Sequence, residues 1–201
     1  MLEIETLKLE RDGQLLAYDF HVPEGQILAI QGRSGVGKSS LLNAIAGFLK
    51  PRSGSIRWQG HSLLALAVEQ RPVSLLFQDT NLFEHLSVKD NLCLGFSDPP
   101  YEALWGAAEQ LQIDQHLDKR PGELSGGQRQ RIALIRTLLR PEPLVLLDEP
   151  FAELDPHTRK LATDWTRNTA RTNGKTLLLV THQADDVEKV ADRRLELGLT
   201  A

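Results

Sequence analysis

Gly32-Arg33-Ser34-Gly35-Val36-Gly37-Lys38-Ser39 fits the pattern G-x-x-x-x-G-K-[ST] and stands between an apolar run and a stretch of helical spacing. The glycines let the backbone turn tightly enough to aim successive N–H groups at phosphate oxygens, and the start of the following helix adds its positive dipole end. Lys38 would neutralise the β and γ phosphates, and Ser39 would hold Mg²⁺. A ligand-free glycine turn is the alternative, but four fixed positions arise by chance in only about one chain of this size in a hundred. Downstream, Leu144-Val145-Leu146-Leu147 runs into Asp148-Glu149, two carboxylates at the end of an apolar strand. Asp148 suits a second Mg²⁺ contact and Glu149 a general base or water-orienting group; a pair merely capping the turn at Pro150 is the alternative. Leu124-Ser125-Gly126-Gly127-Gln128 opens a helix, so a hydroxyl and two unencumbered backbone N–H groups stand at a helix N-terminus, a second anion site. An N-cap serine alone would account for Ser125 but not for two glycines, each costing about 1 kcal/mol in a helix.

Elements to position these groups can be read from the apolar pattern, in which short β-branched or leucine runs alternate with longer stretches of helical spacing, the rhythm of an α/β fold. Leu2–Leu9 and Leu15–Val22 read as two strands around a turn at Asp12-Gly13, and Ile27–Ile30 as the strand before the phosphate loop. A helix from Lys38 to about Phe48 closes near Gly47, a hairpin edge lies within Pro51–Gly60, and Val73–Phe77 is a buried strand. Residues 79–125 hold helical stretches broken by Asp98-Pro99-Pro100 and Arg120-Pro121-Gly122, the pattern of an inserted helical lobe. The core resumes with a helix from Gly126 to about Leu139, a strand Leu144–Leu147, a helix Pro156 to about Arg171, a strand Thr176–Val180 and a last strand Arg194–Leu197. One domain is expected, with 1–78 and 126–201 as core and 79–125 as insert.

Composition narrows the class. Of 201 residues 41% are hydrophobic and 25% charged, enough apolar mass for a real core. The longest apolar run, Leu63–Val68, is far short of the roughly 20 residues that span a bilayer. A net charge of −4 lacks the basic excess of a nucleic-acid binder, and the lone cysteine, Cys93, permits no internal disulfide. The acidic start Met-Leu-Glu-Ile-Glu does not read as a secretory signal, so a reducing cytosol is expected. Arg129, Arg136 and Arg140 form one helical stripe, read as a solvated face, and Trp58, Trp105 and Trp165 as packing residues.

The order of the motifs carries a resemblance over nearly the whole chain. The phosphate loop at 32–39, Gln78 after a buried strand, Leu-Ser-Gly-Gly-Gln at 124–128, Asp148-Glu149, Asp155, and His182 after the strand 176–180 resemble the ATP-binding-cassette ATPases. The resemblance implies a P-loop NTPase core, a mixed sheet flanked by helices, with an N-terminal antiparallel β subdomain and an inserted helical subdomain, ATP and Mg²⁺ as cofactors, and ATP hydrolysis. It implies that Gly32, Arg33, Ser34, Gly35, Val36, Gly37, Lys38, Ser39 and Ser40 bind nucleotide, and that Ser39, Gln78 and Asp148 hold the metal. Glu149, His182, Gln78 and Lys38 would act on the γ-phosphate. Ser125, Gly126, Gly127 and Gln128 would close on the ATP of a second subunit in a head-to-tail homodimer, with Asp155 linking the sites. Two departures stand out: Ala152-Glu153 replaces the first two residues of the family's usual Ser-Ala-Leu-Asp, and Leu9 occupies the position usually given to an aromatic residue that stacks on adenine, with Arg11 as a substitute cation–π surface.

Arg71–Gln78, Asn81–Val88 and Pro121-Gly122-Glu123 resemble the ATP-binding subunits of bacterial importers, and among these the ATPases of thiamine importers. That implies integral membrane permease subunits as partners, a periplasmic substrate-binding protein acting through them, no nucleic acid, and a place at the cytoplasmic face of the inner membrane. Leu82, Phe83 and Leu86 are either core of the helical lobe or the floor of a groove for a permease helix. Competing readings are a short exporter ATPase of the haem-export kind, an ATPase acting on nucleic acid or ribosomes, and a nucleotide switch without turnover. The chain ends soon after His182, read as a minimal cassette without a regulatory tail.

Overall fold

A computed structural model describes residues 1–11, 13–79 and 82–198; Asp12 of the first expected turn and Asn81 of the importer-like segment lie outside the described residues. Two sheets share the work. An antiparallel sheet, in the order β2-β1-β4-β5, is built from β1 (Leu2–Arg11), β2 (Gln14–Val22), β4 (Ser53–Trp58) and β5 (His61–Ser62). The second sheet is parallel throughout its described pairings, in the order β6-β7-β8-β3-β9, from β3 (Ile27–Gly32), β6 (Val73–Leu76), β7 (Leu144–Asp148), β8 (Thr176–Val180) and β9 (Arg193–Leu197).

Because side chains alternate along a strand, the parallel sheet feeds two apolar layers. Leu144 and Leu146 of β7 and Leu178 and Val180 of β8 pack toward the antiparallel sheet and the helix α1 (Lys38–Ala46). Val145, Leu147, Leu177 and Leu179 point the other way, into a cluster with the helices α2 (Val88–Cys93), α3 (Tyr101–Gln110), α4 (Gly126–Leu139) and α5 (Pro156–Thr172). The short α6 (Ala184–Val190) follows β8. Trp58 and Trp165 are buried and Trp105 packs against the second cluster, all as packing residues. The apolar run at Leu63–Val68 forms neither strand nor long helix but a turn leading into a single 3₁₀ turn at Val68–Gln70. No helix among the described residues is long and apolar enough to cross a membrane.

The parallel arrangement has one consequence for chemistry. The carboxyl ends of β3, β6, β7 and β8 all open on the same edge, so the phosphate loop, Gln78, Asp148-Glu149 and His182 emerge together there.

Candidate nucleotide site

At that edge lies a cavity of about 680 Å³, a size suited to a cofactor. It is lined by Gly32, Ser34, Gly35, Gly37, Lys38 and Ser39 of the phosphate loop, by Gln78, Asp148, Glu149 and His182, and by Arg11, Gln14, Leu16, Ala152 and Val180. Lys38 Nζ curls over the loop, donating to the carbonyls of Gly32 at 2.8 Å and Arg33 at 3.0 Å, which fixes its charge at the loop's centre. Gly37 caps α1 with φ 99°, and the buried Tyr18 hydroxyl donates to its carbonyl at 2.9 Å. Burial raises the Tyr18 pKa to about 12, against a smaller pull from Arg11, so the phenol remains a donor at neutral pH.

Asp148 is buried at the end of β7, and desolvation pushes its carboxyl pKa upward; the Ser39 hydroxyl and the Lys38 charge oppose that rise, while Glu149 adds to it. Its Oδ1 has no hydrogen-bond partner. A buried carboxylate oxygen left unpaired, with the Ser39 hydroxyl close enough to lower the pKa of the same group, is a donor set that fits a hard divalent cation. Glu149 follows with φ 48°, a left-handed conformation uncommon for a side chain of this size. Its N–H donates to the Val180 carbonyl at 3.0 Å, and its Oε1 lies 3.0 Å from His182 Nδ1. The carboxylate is largely enclosed while the imidazole is mostly exposed, so Glu149 is aimed into the cavity with His182 at its mouth.

Ser125–Gln128 do not line this cavity. Ser125 caps α4 by accepting from Gln128 N–H at 3.3 Å, and Gln128 Oε1 reciprocates from Ser125 N–H at 2.9 Å, a capping box. Gln128 Nε2 then donates to His116 Nε2 at 2.9 Å, so His116 carries its proton on Nδ1 and is neutral there; burial lowers its pKa in agreement. Gly127 has a packing reason too, since a Cβ there would fall 3.0 Å from the Glu153 carbonyl, whereas one on Gly126 would meet the end of the exposed Glu153 side chain, which can swing away. Asp155 caps α5, its Oδ1 accepting from His157 and Thr158 N–H, and also stands outside the cavity. Arg33 is exposed, Val36 is buried, and the Ser40 hydroxyl is turned to Arg11 Nη1 at 3.0 Å; the side chains of these three do not line the cavity.

The profile of the ABC transporter family matches residues 15–152. The chain belongs to that family. The cassette is 41% identical over 199 residues to the thiamine import ATP-binding protein ThiQ of Vibrio cholerae, covering 96% of this chain and 84% of the relative. It is 45% identical over 188 residues to ThiQ of Histophilus somni, covering 90% and 88%. Among solved structures, an ATP-binding subunit of an ABC transporter superposes with TM-score 0.87 at 27% identity, covering 98% of this chain and 85% of that one. A dimeric ATP-binding cassette bound to ADP and Pi superposes with TM-score 0.86 at 24% identity, covering 98% and 94%. The fold is that of the P-loop cassettes, and the cassette is an ATP-binding ATP hydrolase.

Leu9, at the family's usual aromatic position, is fully buried in the apolar layer under the antiparallel sheet, while Arg11, two residues on at the strand end, lines the cavity. Gln14 and Leu16, on one face of β2, complete that wall; their period-two spacing was the available signal. The arginine stripe of α4 is not a solvated face. Arg136 stands 5.9 Å over the Phe83 ring and donates to Asn91 Oδ1 at 3.4 Å, and Arg140 pairs with Glu142 at 2.8 Å. Both line a groove of about 270 Å³ with Phe48, Val68, Phe77, Phe83 and Leu94. Of the three apolar residues weighed for such a groove, Phe83 lines it, half exposed, Leu82 packs against the core, and the half-buried Leu86 is not part of the lining.

Proposed function

We propose that this cassette is the ATP-hydrolysing subunit of a bacterial importer, binding Mg-ATP between two copies arranged head to tail and driving a membrane permease. What carries the reading is the convergence of Lys38, Asp148, Gln78 and the Glu149–His182 pair on one cavity at the sheet edge. Lys38 and the loop N–H groups hold the β and γ phosphates. Ser39 and Asp148, with Gln78 lining the same cavity, would hold Mg²⁺, which would supply charge neutralisation on the phosphates. Glu149 orients the attacking water and receives its proton, while His182 Nδ1 fixes the carboxylate and its ring reaches toward the γ-phosphate. The Ser125–Gln128 helix start, standing outside its own chain's cavity, closes on the nucleotide of a second copy, with Asp155 at the interface. The wall against the base is Arg11, Gln14 and Leu16 in place of an aromatic residue.

The apolar groove with its two arginines receives a cytoplasmic helix of the permease, which places the cassette at the cytoplasmic face of the inner membrane and couples it to a periplasmic binding protein. Thiamine is the cargo that the names of the relatives support. The chemistry is tested with Glu149→Gln: ATP affinity stays within about twofold, hydrolysis falls at least about 100-fold, and a long-lived ATP-bound dimer elutes from a sizing column. Hydrolysis at the wild-type rate would remove Glu149 from the mechanism. Cargo is tested by ATP-dependent uptake of labelled thiamine into vesicles holding the assembled transporter; uptake that ignores thiamine refutes the assignment.

A further inference from the structure

The turn after β7 contains three backbone polar groups met by side chains from two helices. Gln130, in the second turn of α4, donates from Nε2 to the Glu149 carbonyl at 2.8 Å and accepts at Oε1 from Glu153 N–H at 2.8 Å. From the far side, Arg159 of α5 donates to the Phe151 carbonyl at 2.7 Å and to the Gln183 side chain. Gln130 is 2% exposed on a helix whose neighbouring inward residues are Ile132, Ala133 and Leu134. Packing alone would be served by a leucine or methionine there, because burying a primary amide is unfavourable unless its polar atoms are bonded. Here both ends of the amide are spent on the one turn that carries Glu149.

That turn is strained at Glu149 itself, whose φ of 48° is a left-handed conformation that a non-glycine residue keeps only where neighbours over-determine it. Three elements do so: β8 through the Val180 carbonyl, His182 through the carboxylate, and α4 through Gln130. By spanning Glu149 and Glu153, Gln130 fixes the whole arc between them as one piece.

We propose that Gln130 is a positioning residue for ATP hydrolysis, holding Glu149 in its left-handed conformation so that the carboxylate points at the attacking water; this rests on the role given to Glu149 above. The same bond ties the helix that begins at Ser125 to the catalytic turn of its own chain.

The test uses the purified full chain with Mg-ATP and the variants Gln130→Ala, Gln130→Glu, Glu149→Gln and the double variants. Gln130→Glu has nearly the wild-type volume and can still accept from Glu153 N–H, but cannot donate to the Glu149 carbonyl. Both single Gln130 variants are expected to lose about 10- to 100-fold in kcat, with KM and ATP affinity within about twofold. In the Glu149→Gln background the same substitutions are expected to change the residual rate by less than about twofold, because their effect passes through the carboxylate already removed. A wild-type kcat in Gln130→Glu, or an undiminished loss in the Glu149→Gln background, overturns the proposal while leaving Glu149 in place. A Glu149→Gln enzyme that hydrolyses normally overturns the role of Glu149 and this proposal with it.

Discussion

Gly37→Ala should separate backbone strain from steric clash at the phosphate loop. Gly37 has φ 99°, and an L residue in the left-handed region pays about 1–2 kcal/mol. The new methyl would also overlap the Tyr18 hydroxyl and fall 2.6 Å from Leu16 Cδ1, and forcing buried groups apart costs a further ~1–3 kcal/mol. The sum, about 2–5 kcal/mol, lowers the melting temperature of a chain this long by roughly 5–15 °C. Urea unfolding of the variant measures it. Tyr18→Phe alone loses about 1 kcal/mol, the bond from its hydroxyl to the Gly37 carbonyl at 2.9 Å. In the double variant the nearest clashing atom is gone, so part of the steric cost returns and the two losses sum to more than the observed total by about 1 kcal/mol. The conformational part does not return, since no change at Tyr18 alters the φ that position 37 must adopt. Strict additivity, or a Gly37→Ala variant within about 0.5 kcal/mol of the parent, would refute this account of the loop.

Asp148→Asn should raise the melting temperature by about 2 °C or more at neutral pH while abolishing Mg²⁺-dependent tightening of nucleotide binding. A carboxyl whose folded pKa is raised by burial binds a proton more readily when folded, so stability falls as pH climbs through that range and the ionised group is a net cost at neutral pH. His116 has the opposite profile: burial lowers its pKa, so stability present above the ordinary histidine range is lost as pH falls through it, and His116→Asn should flatten the melting temperature between about pH 7.5 and 5.5. Arg71 donates from one Nη to the Ala44 and Ile45 carbonyls, each at 2.8 Å, closing the end of α1. Arg71→Lys, which lacks the planar fork, should cost about 1–3 kcal/mol in urea unfolding, and a neutral outcome would deny it that role.

What could be read from the sequence was what short-range rules determine. The helix from Gly126 to Leu139 and the strand Thr176–Val180 stand where expected, because a capping serine, a glycine pair and unbroken apolar runs mark their ends locally. Asp148-Glu149 could be placed at a strand end for the same reason. Features that depend on which elements meet were hidden. Leu9 is buried and Arg11 is not because of how β1 pairs with β2 and β4, including an irregularity in register between Ile4 and Leu7, and no local spacing specifies that pairing. The α4 arginines looked solvated because nothing in their spacing announces the Phe83 ring beside Arg136, and the partner of Arg140, Glu142, lies two residues on, past the helix end. Gln130 carried no signal at all: its partners are backbone atoms 19 and 23 positions away.

Among the described residues α4 touches both the turn after β7 and the apolar groove: Gln130 grips the turn bearing Glu149, and Arg136 and Thr137 line the groove. Fourteen helical residues are about 21 Å of nearly rigid rod, and Gln130 stands roughly 9 Å from Arg136 along it. A tilt of about 5° about the groove end therefore moves the Gln130 end by roughly 0.8 Å, and a displacement near 1 Å in a reacting group is enough to change a rate about 100-fold. Arg131, buried next to Gln130, donates to the Gly127 carbonyl at 3.1 Å one turn back within α4 and to the Leu111 carbonyl at 2.6 Å, the second bond tying α4 to the end of α3. On the function proposed above, a segment docked in the groove and the turn bearing Glu149 would bear on the same helix, at Arg136 and Gln130.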